Sequence, residues 1–203
     1  MMNYAVGIDL GGTNVKAVAV SADGELLEQS SCEVSDAGAA ALAEVVRRQL
    51  AQFERARGET ASYVGVACPG QAAPDGLSMA SVGGRLQALE GVVWTELLKT
   101  ERPVPVLNDA HAALLGEVWK GAGGGCRDAV LLTLGTGVGG AILSDGRLVT
   151  GHLRRAGHLG HICLDADGTP DIIGIPGSLE DAIGNGTLAA RSLELSELSP
   201  HDL

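Results

Sequence analysis

One module occurs twice in this chain, and that repetition limits its fold more than any other feature. DLGGTNVKAVAVSADGEL starts at Asp9, and TLGTGVGGAILSDGRL starts at Thr133. Each copy follows an apolar run, YAVGID in the first and AVLLTL in the second. Each then passes a glycine-rich turn, returns in a second apolar run (KAVAV, GAIL), and reaches an Asp-Gly dipeptide before a third. Asp-Gly between apolar runs is a hairpin signal, because both central residues of the favoured turns tolerate positive φ. Two copies with the same order of parts predict two related halves.

Between the copies the period changes. ALAEVVRRQLAQFERA, residues 41–56, places Leu42, Val45, Val46, Leu50 and Phe53 on one helical face, with Arg47, Arg48 and Glu54 off it. SYVGVACPG reads as a buried strand ending at Pro69-Gly70, followed by a loop to about Leu86. WTELLK reads as a short helix, PVPVLND as a strand, and AHAALLGEVWKG as a helix closed by Gly121. This order predicts an α/β protein with mixed sheets flanked by helices, in two lobes joined near residues 108–122.

Composition narrows the class further. The 203 residues include 30 glycines, about twice the ordinary share of roughly 7%. They are clustered rather than periodic, which fits tight turns and close backbone approach to a ligand. Fourteen Lys+Arg against 25 Asp+Glu give a net charge of −11, which disfavours a nucleic-acid partner. Cys32, Cys68, Cys126 and Cys163 are too scattered for a zinc knuckle and read as reduced thiols. The uncharged run AVLLTLGTGVGGAILS is shorter than the roughly 20 residues a membrane-spanning helix needs. The N-terminus has no signal-peptide pattern. A soluble, cytoplasmic protein is expected, with no membrane partner.

The glycine turns need a purpose. GTGVGG, residues 135–140, matches G-x-G-x-x-G, but a dinucleotide fold needs a helix next and AILSDGRLV reads as strand, turn, strand. A nicotinamide-dependent oxidoreductase is therefore a distant reading. A glycine turn within a hairpin can still turn consecutive N–H groups toward a phosphate. Thr13 and Thr136 add hydroxyls, and Lys16 adds either a charge or a solvated edge residue. Asp9, beside the first turn, suits either a turn cap or a hydrated Mg2+ bridging phosphates. Asn108-Asp109 lie where a strand ends and a helix begins. They fit helix capping and, equally, acceptance of a proton from an attacking hydroxyl.

GIDLGGTNVKAVAV, LNDAHAALLGE, LGTGVGGAIL and AGHLGHICLDADG together resemble the ROK family, within the superfamily of sugar kinases, actin and heat-shock chaperones. The resemblance implies a two-lobed ribonuclease H-like (actin-like ATPase) fold. The first lobe spans 1–109, and a partial second lobe, C-terminally incomplete, spans 110–203. It implies ATP-dependent phosphorylation of a hexose or amino-hexose at its 6-hydroxyl, with ATP and Mg2+ as cofactors. Asp109 matches the catalytic base and Asn108 its sugar-binding neighbour. Gly11, Gly12, Thr13, Asn14 and Lys16 match the first phosphate loop, and Gly135, Thr136 and Gly137 the second. His158, His161 and Glu180 match positions of the sugar pocket, and Asp9 that of a Mg2+ contact through water.

The resemblance also implies departures. The family carries a zinc-binding histidine and then C-x-C-G-x-x-G-C-x-E. Here His161 holds the histidine's place, while Asp171, Ile173 and Ser178 stand where the cysteines would be. No zinc is expected, since Ile173 cannot ligate a metal. An EF-hand-like calcium loop starting at Asp165 also fails, because its closing glutamate would fall on Pro176. His158 replaces a glutamate, and Arg85 sits where an Asn-Leu pair usually touches sugar. Repressors of the family carry a helix-turn-helix ahead of the first hairpin, and here Met1 nearly abuts the first strand. A homodimer is the usual state in the family. The alternative function is a non-catalytic sugar-binding or truncated kinase-like protein without a complete nucleotide site.

Overall fold

The structure is a computed structural model that describes residues 4–34, 38–185 and 187–190. The chain divides into two compact units between Ala122 and Gly123.

The first unit opens with β1 (Tyr4–Leu10), β2 (Asn14–Ser21) and β3 (Leu26–Glu33). α1 (Ala39–Arg57), β4 (Tyr63–Cys68), the short pair β5 (Gln71–Ala72) and β6 (Met79–Ser81), and α2 (Trp94–Leu98) follow. β7 (Val106–Asn108) runs directly into α3 (Asp109–Lys120). Five strands form one mixed sheet in the order β3-β2-β1-β4-β7. The first hairpin is antiparallel, whereas β4 and β7 run parallel to β1.

Alternation along β1 and β2 decides which face is buried. Tyr4, Val6, Ile8 and Leu10 share a face with Val15, Ala17 and Ala19, and all are buried. Against them α1 lays Leu42, Val45, Val46 and Phe53, the stripe its sequence period predicts. Gln49 is the polar member of that stripe, and its amide donates to the Val15 carbonyl at 3.1 Å. α1 ends where Gly58 turns left-handed at φ 70, its N–H returning to Glu54.

The opposite face of the sheet carries Gly7, Asp9, Lys16, Gly65 and Leu107, which line a cavity of about 510 Å3. β1 pairs Asp9 directly across from Lys16 on β2.

In one place the first unit differs from the sequence reading. Residues 71–86 hold the β5–β6 hairpin and the start of a 3-10 turn (Gly84–Leu89) rather than a plain loop. Ala72, Met79, Val82 and Leu86 supply enough buried apolar surface to fix it. Glycine, proline and serine hide such strands from a propensity reading. α3 belongs to the first unit, so the division at Ala122/Gly123 falls at the end of the 108–122 stretch expected to join the lobes. No residue separates α3 from β7, and its Ala110, His111 and Leu114 are buried.

The second unit contains β8 (Ala129–Leu134), β9 (Val138–Ser144) and β10 (Arg147–Leu148). They form an antiparallel sheet in the order β10-β9-β8, mirroring the β3-β2-β1 order of the first module. The two Asp-Gly dipeptides make different turns. Asp145 and Gly146 both have positive φ, 50 and 74, in a tight two-residue hairpin that also holds an Arg127–Asp145 ion pair. In the first module only Gly24 is left-handed, at φ 77, within a longer loop. A 3-10 turn (Leu159–His161) and α4 (Leu179–Ile183) pack on β9. The segment ELSPHDL, where the sequence predicts an incomplete lobe, lies outside the described residues.

Candidate functional site

In the first unit, the carboxyl ends of three parallel strands bring the predicted residues to one edge of the sheet. β1 delivers Asp9 and the Gly11–Asn14 turn, β4 delivers Cys68, and β7 delivers Asn108 and Asp109. The glycine turn is tied by the Gly11 N–H to the Asn14 carbonyl at 2.9 Å. Thr13 remains exposed at its tip.

The geometry separates Asn108 from Asp109. Asn108 is buried and caps α3, its Oδ1 accepting from the His111 N–H at 3.2 Å. Its Nδ2 donates to the Gly70 carbonyl at 3.0 Å, which fixes the side chain from both ends. Asp109 is exposed, and its Oδ1 accepts from the Ala110 N–H at 2.9 Å. So Asn108 does the capping, and Asp109 stands at the helix start facing solvent. A carboxylate there is favoured by the dipole of the 12-residue α3.

The electrostatics tie Asp9, Asp109 and Cys68 together. Asp9 touches solvent, yet the protein around it desolvates it and raises its pKa. The Asp109 charge raises it further, while Lys16 across the hairpin pulls it down. The Cys68 thiol is pushed up to about 12 by burial, then by Asp109 and Asp9. Two like charges near one another, with Lys16 opposite one of them, make an edge that favours a cation or a hydroxyl donor. Asp9 therefore fits a hydrated divalent ion on chemical grounds. Nothing in the sequence marked Cys68 as a neighbour of these carboxylates. That follows from the parallel pairing of β1, β4 and β7.

The second unit builds around the other glycine turn. The Gly135 N–H donates to the Gly137 carbonyl at 3.0 Å, and Asn185 N–H donates to the Gly135 carbonyl at 3.0 Å. Glu180, from α4, reaches this turn, and its Oε2 accepts from the Val138 N–H at 2.9 Å. A side chain at Gly137 would overlap the Glu180 carboxylate and push it aside. Gly160 is more tightly constrained, because a side chain there would run into the backbone carbonyl of Val138. Glu180 and the turn thus form one assembly, which the sequence reading assigned to two ligands. His158 and His161 flank the same assembly on the 3-10 turn.

His161 Nδ1 lies 2.8 Å from Asp171 Oδ2. The Asp171 side chain is fully buried. Burial opposes its charge, but N–H donation from Ile175, His161 and Ile173 and a Ser178 hydroxyl outweigh it and hold the carboxyl down to about 2. An ionised carboxylate only accepts, so Nδ1 carries a proton and Nε2 is the ring nitrogen not taken by Asp171. Zinc does not fit this set. Asp171 is consumed by protein donors, Ile173 offers only its backbone, and Ser178 accepts from the Asp181 N–H as the cap of α4. The 165–168 segment is an ordinary turn, closed by the Asp167 N–H on Asp165 Oδ1 at 3.0 Å.

A repeated strand–glycine turn–strand module, with a solvent-facing carboxylate where a parallel strand meets a helix, makes this an α/β protein whose glycine turns are of the kind that can hold an anion. The ROK family model matches residues 5–203, and the chain belongs to that family. It is 35% identical to the glucokinase of Thermotoga maritima, over 93% of this chain and 59% of that one. It is 34% identical to the N-acetylmannosamine kinase of Escherichia fergusonii, over 94% of this chain and 65% of that one. The solved ROK glucokinase of Streptomyces griseus, in complex with glucose and AMPPNP, superposes with a TM-score of 0.80 at 26% identity. That match covers 96% of this chain and 63% of the other. The chain spans about three fifths of the length of the first curated relatives it matches. No described helix is long and apolar enough to cross a membrane.

Proposed function

We propose that the protein is an ATP-dependent sugar kinase that phosphorylates a hexose or amino-hexose at its 6-hydroxyl. The observation that carries this reading is Asp109, a solvent-facing carboxylate held at the strand–helix junction by the doubly anchored Asn108 beside it. Kinase relatives that act on a neutral hexose and on an N-acetylated one support the substrate class.

Asp109 accepts the proton of the sugar hydroxyl as its oxygen attacks the γ-phosphorus. The bond from that phosphorus to the β,γ-bridging oxygen breaks, and ADP leaves. Gly11–Lys16 and Gly135–Gly137 supply N–H and hydroxyl donors to phosphate oxygens. Asn108 presents a rigid amide to the sugar, and His161 offers Nε2 to a hydroxyl proton. His158 and Glu180 complete the sugar-contacting set. Mg2+ brought by the nucleotide would be held through water by Asp9, where it would offset phosphate charge.

The test is a coupled ADP-release assay with Mg-ATP and a panel of hexoses and N-acetylhexosamines. Asp109→Asn is expected to lower sugar-dependent turnover by about 10²–10⁴-fold while the sugar still binds. Sugar binding without turnover in the unaltered protein would sink the kinase reading and favour a binding module.

A further inference from the structure

The positions that break the zinc pattern form a complete hydrogen-bonded cluster, and its contacts lead to the second glycine turn. Asp171 is the centre. Its Oδ1 accepts from the Ile173 and Ile175 N–H groups, both at 2.9 Å, which closes the 171–175 turn. Its Oδ2 takes His161 Nδ1 at 2.8 Å. Its own N–H and carbonyl join Ile175 and Gly174 at 2.8 and 2.9 Å. A buried carboxylate with this many donors is at once a strong tie and costly to disrupt.

Two routes run from this centre to Val138, where the glycine turn becomes β9. Through the 3-10 turn that His161 anchors, it reaches α4, whose Leu179 N–H donates to the Ile162 carbonyl at 2.9 Å and whose Glu180 accepts from the Val138 N–H. Through His161, it fixes the 3-10 turn whose Gly160 packs against the Val138 carbonyl. Both peptide groups flanking the turn's exit are therefore held by elements that converge on one side chain. A tetrahedral metal would tie the same segments together. Here hydrogen bonds do so.

From this convergence we infer that Asp171 is a positioning residue: through His161 it holds the 158–161 turn, and with it α4, on the second glycine turn without a metal. The placement itself stands on the hydrogen bonds, and its consequence for nucleotide binding rests on the kinase reading.

Hydrogen exchange on the intact protein tests the placement, together with zinc analysis and nucleotide titration. The purified protein is expected to carry far less than one zinc per chain and to show the same exchange with and without a chelator. Asp171→Asn is expected to speed exchange in peptides covering 135–139 and 179–184 by about tenfold or more, leaving β1, β4 and β7 unchanged. His161→Gln removes one tie only. It provides a milder probe should Asp171→Asn fold poorly, and a smaller change in the same peptides is expected. Stoichiometric zinc, or unchanged exchange at 135–139 in both variants, would overturn the inference. AMPPNP titration separates the two claims. If the unaltered protein binds the analogue and Asp171→Asn weakens it, both stand. No binding to the unaltered protein tells against the kinase reading alone, and the exchange result still decides the role of Asp171.

Discussion

At the scale of single residues, the environments of two acids and one thiol set measurable behaviour. Asp171 titrates far below its ordinary value of 3.8, at about 2, because hydrogen bonds to its charged form outweigh burial. A depressed carboxylate stabilises the fold above its unfolded pKa, and that contribution is lost as pH falls through the folded one. Acid unfolding of the second unit between about pH 4 and 2 should therefore flatten in Asp171→Asn, followed by circular dichroism against pH. Asp9 has the opposite sign. Its raised pKa means that ionised Asp9 costs stability at neutral pH, mainly through desolvation and then through the Asp109 charge. Asp9→Asn is expected to raise the melting temperature at pH 7, read by thermal unfolding, as expected of a charge held at structural cost. Cys68, buried with its thiol pushed up to about 12, should resist alkylation at pH 8, while exposed Cys126 and Cys163 react. Mass spectrometry after iodoacetamide counts them, and rapid labelling of Cys68 in the folded protein would contradict the placement of β4.

At the scale of elements, the two glycine turns share a module but are secured differently. The first closes on itself through Gly11 and Asn14, whereas the second is braced from outside by Glu180. Gly137→Ala must therefore displace Glu180, and Gly12→Ala meets nothing nearby. The expected result is a loss of about 1–3 kcal/mol for Gly137→Ala and a much smaller loss for Gly12→Ala, read from denaturant midpoints. Equal effects would mean that Glu180 does not hold the turn. The helices show how far local pattern reaches. α1 was legible from Leu42, Val45, Val46 and Phe53 because its apolar period survives in the folded core. The β5–β6 hairpin was not, because Ala72 and Met79 acquire their burial from neighbours distant in sequence.

At the scale of the whole molecule, the division at Ala122/Gly123 has a proteolytic signature. The joining segment is glycine-rich, and its Lys120 and Arg127 are exposed. Limited trypsin digestion should first cut between 120 and 127 and release two fragments that persist. Early cleavage within α1 or β9 would argue against two compact units.

The sequence by itself determined the repeated hairpin module, the turn residues, the helical stripe of α1 and the position of Asp109 at a strand–helix junction. These depend on spacing along the chain, which sterics and side-chain period convert directly into local structure. Only the tertiary structure decided that Cys68 lies with Asp9 and Asp109, that Glu180 holds Val138, and that Asp171 holds His161. Those partners come from separate elements, and strand pairing and packing, rather than any local pattern, bring them within hydrogen-bonding or Coulombic reach.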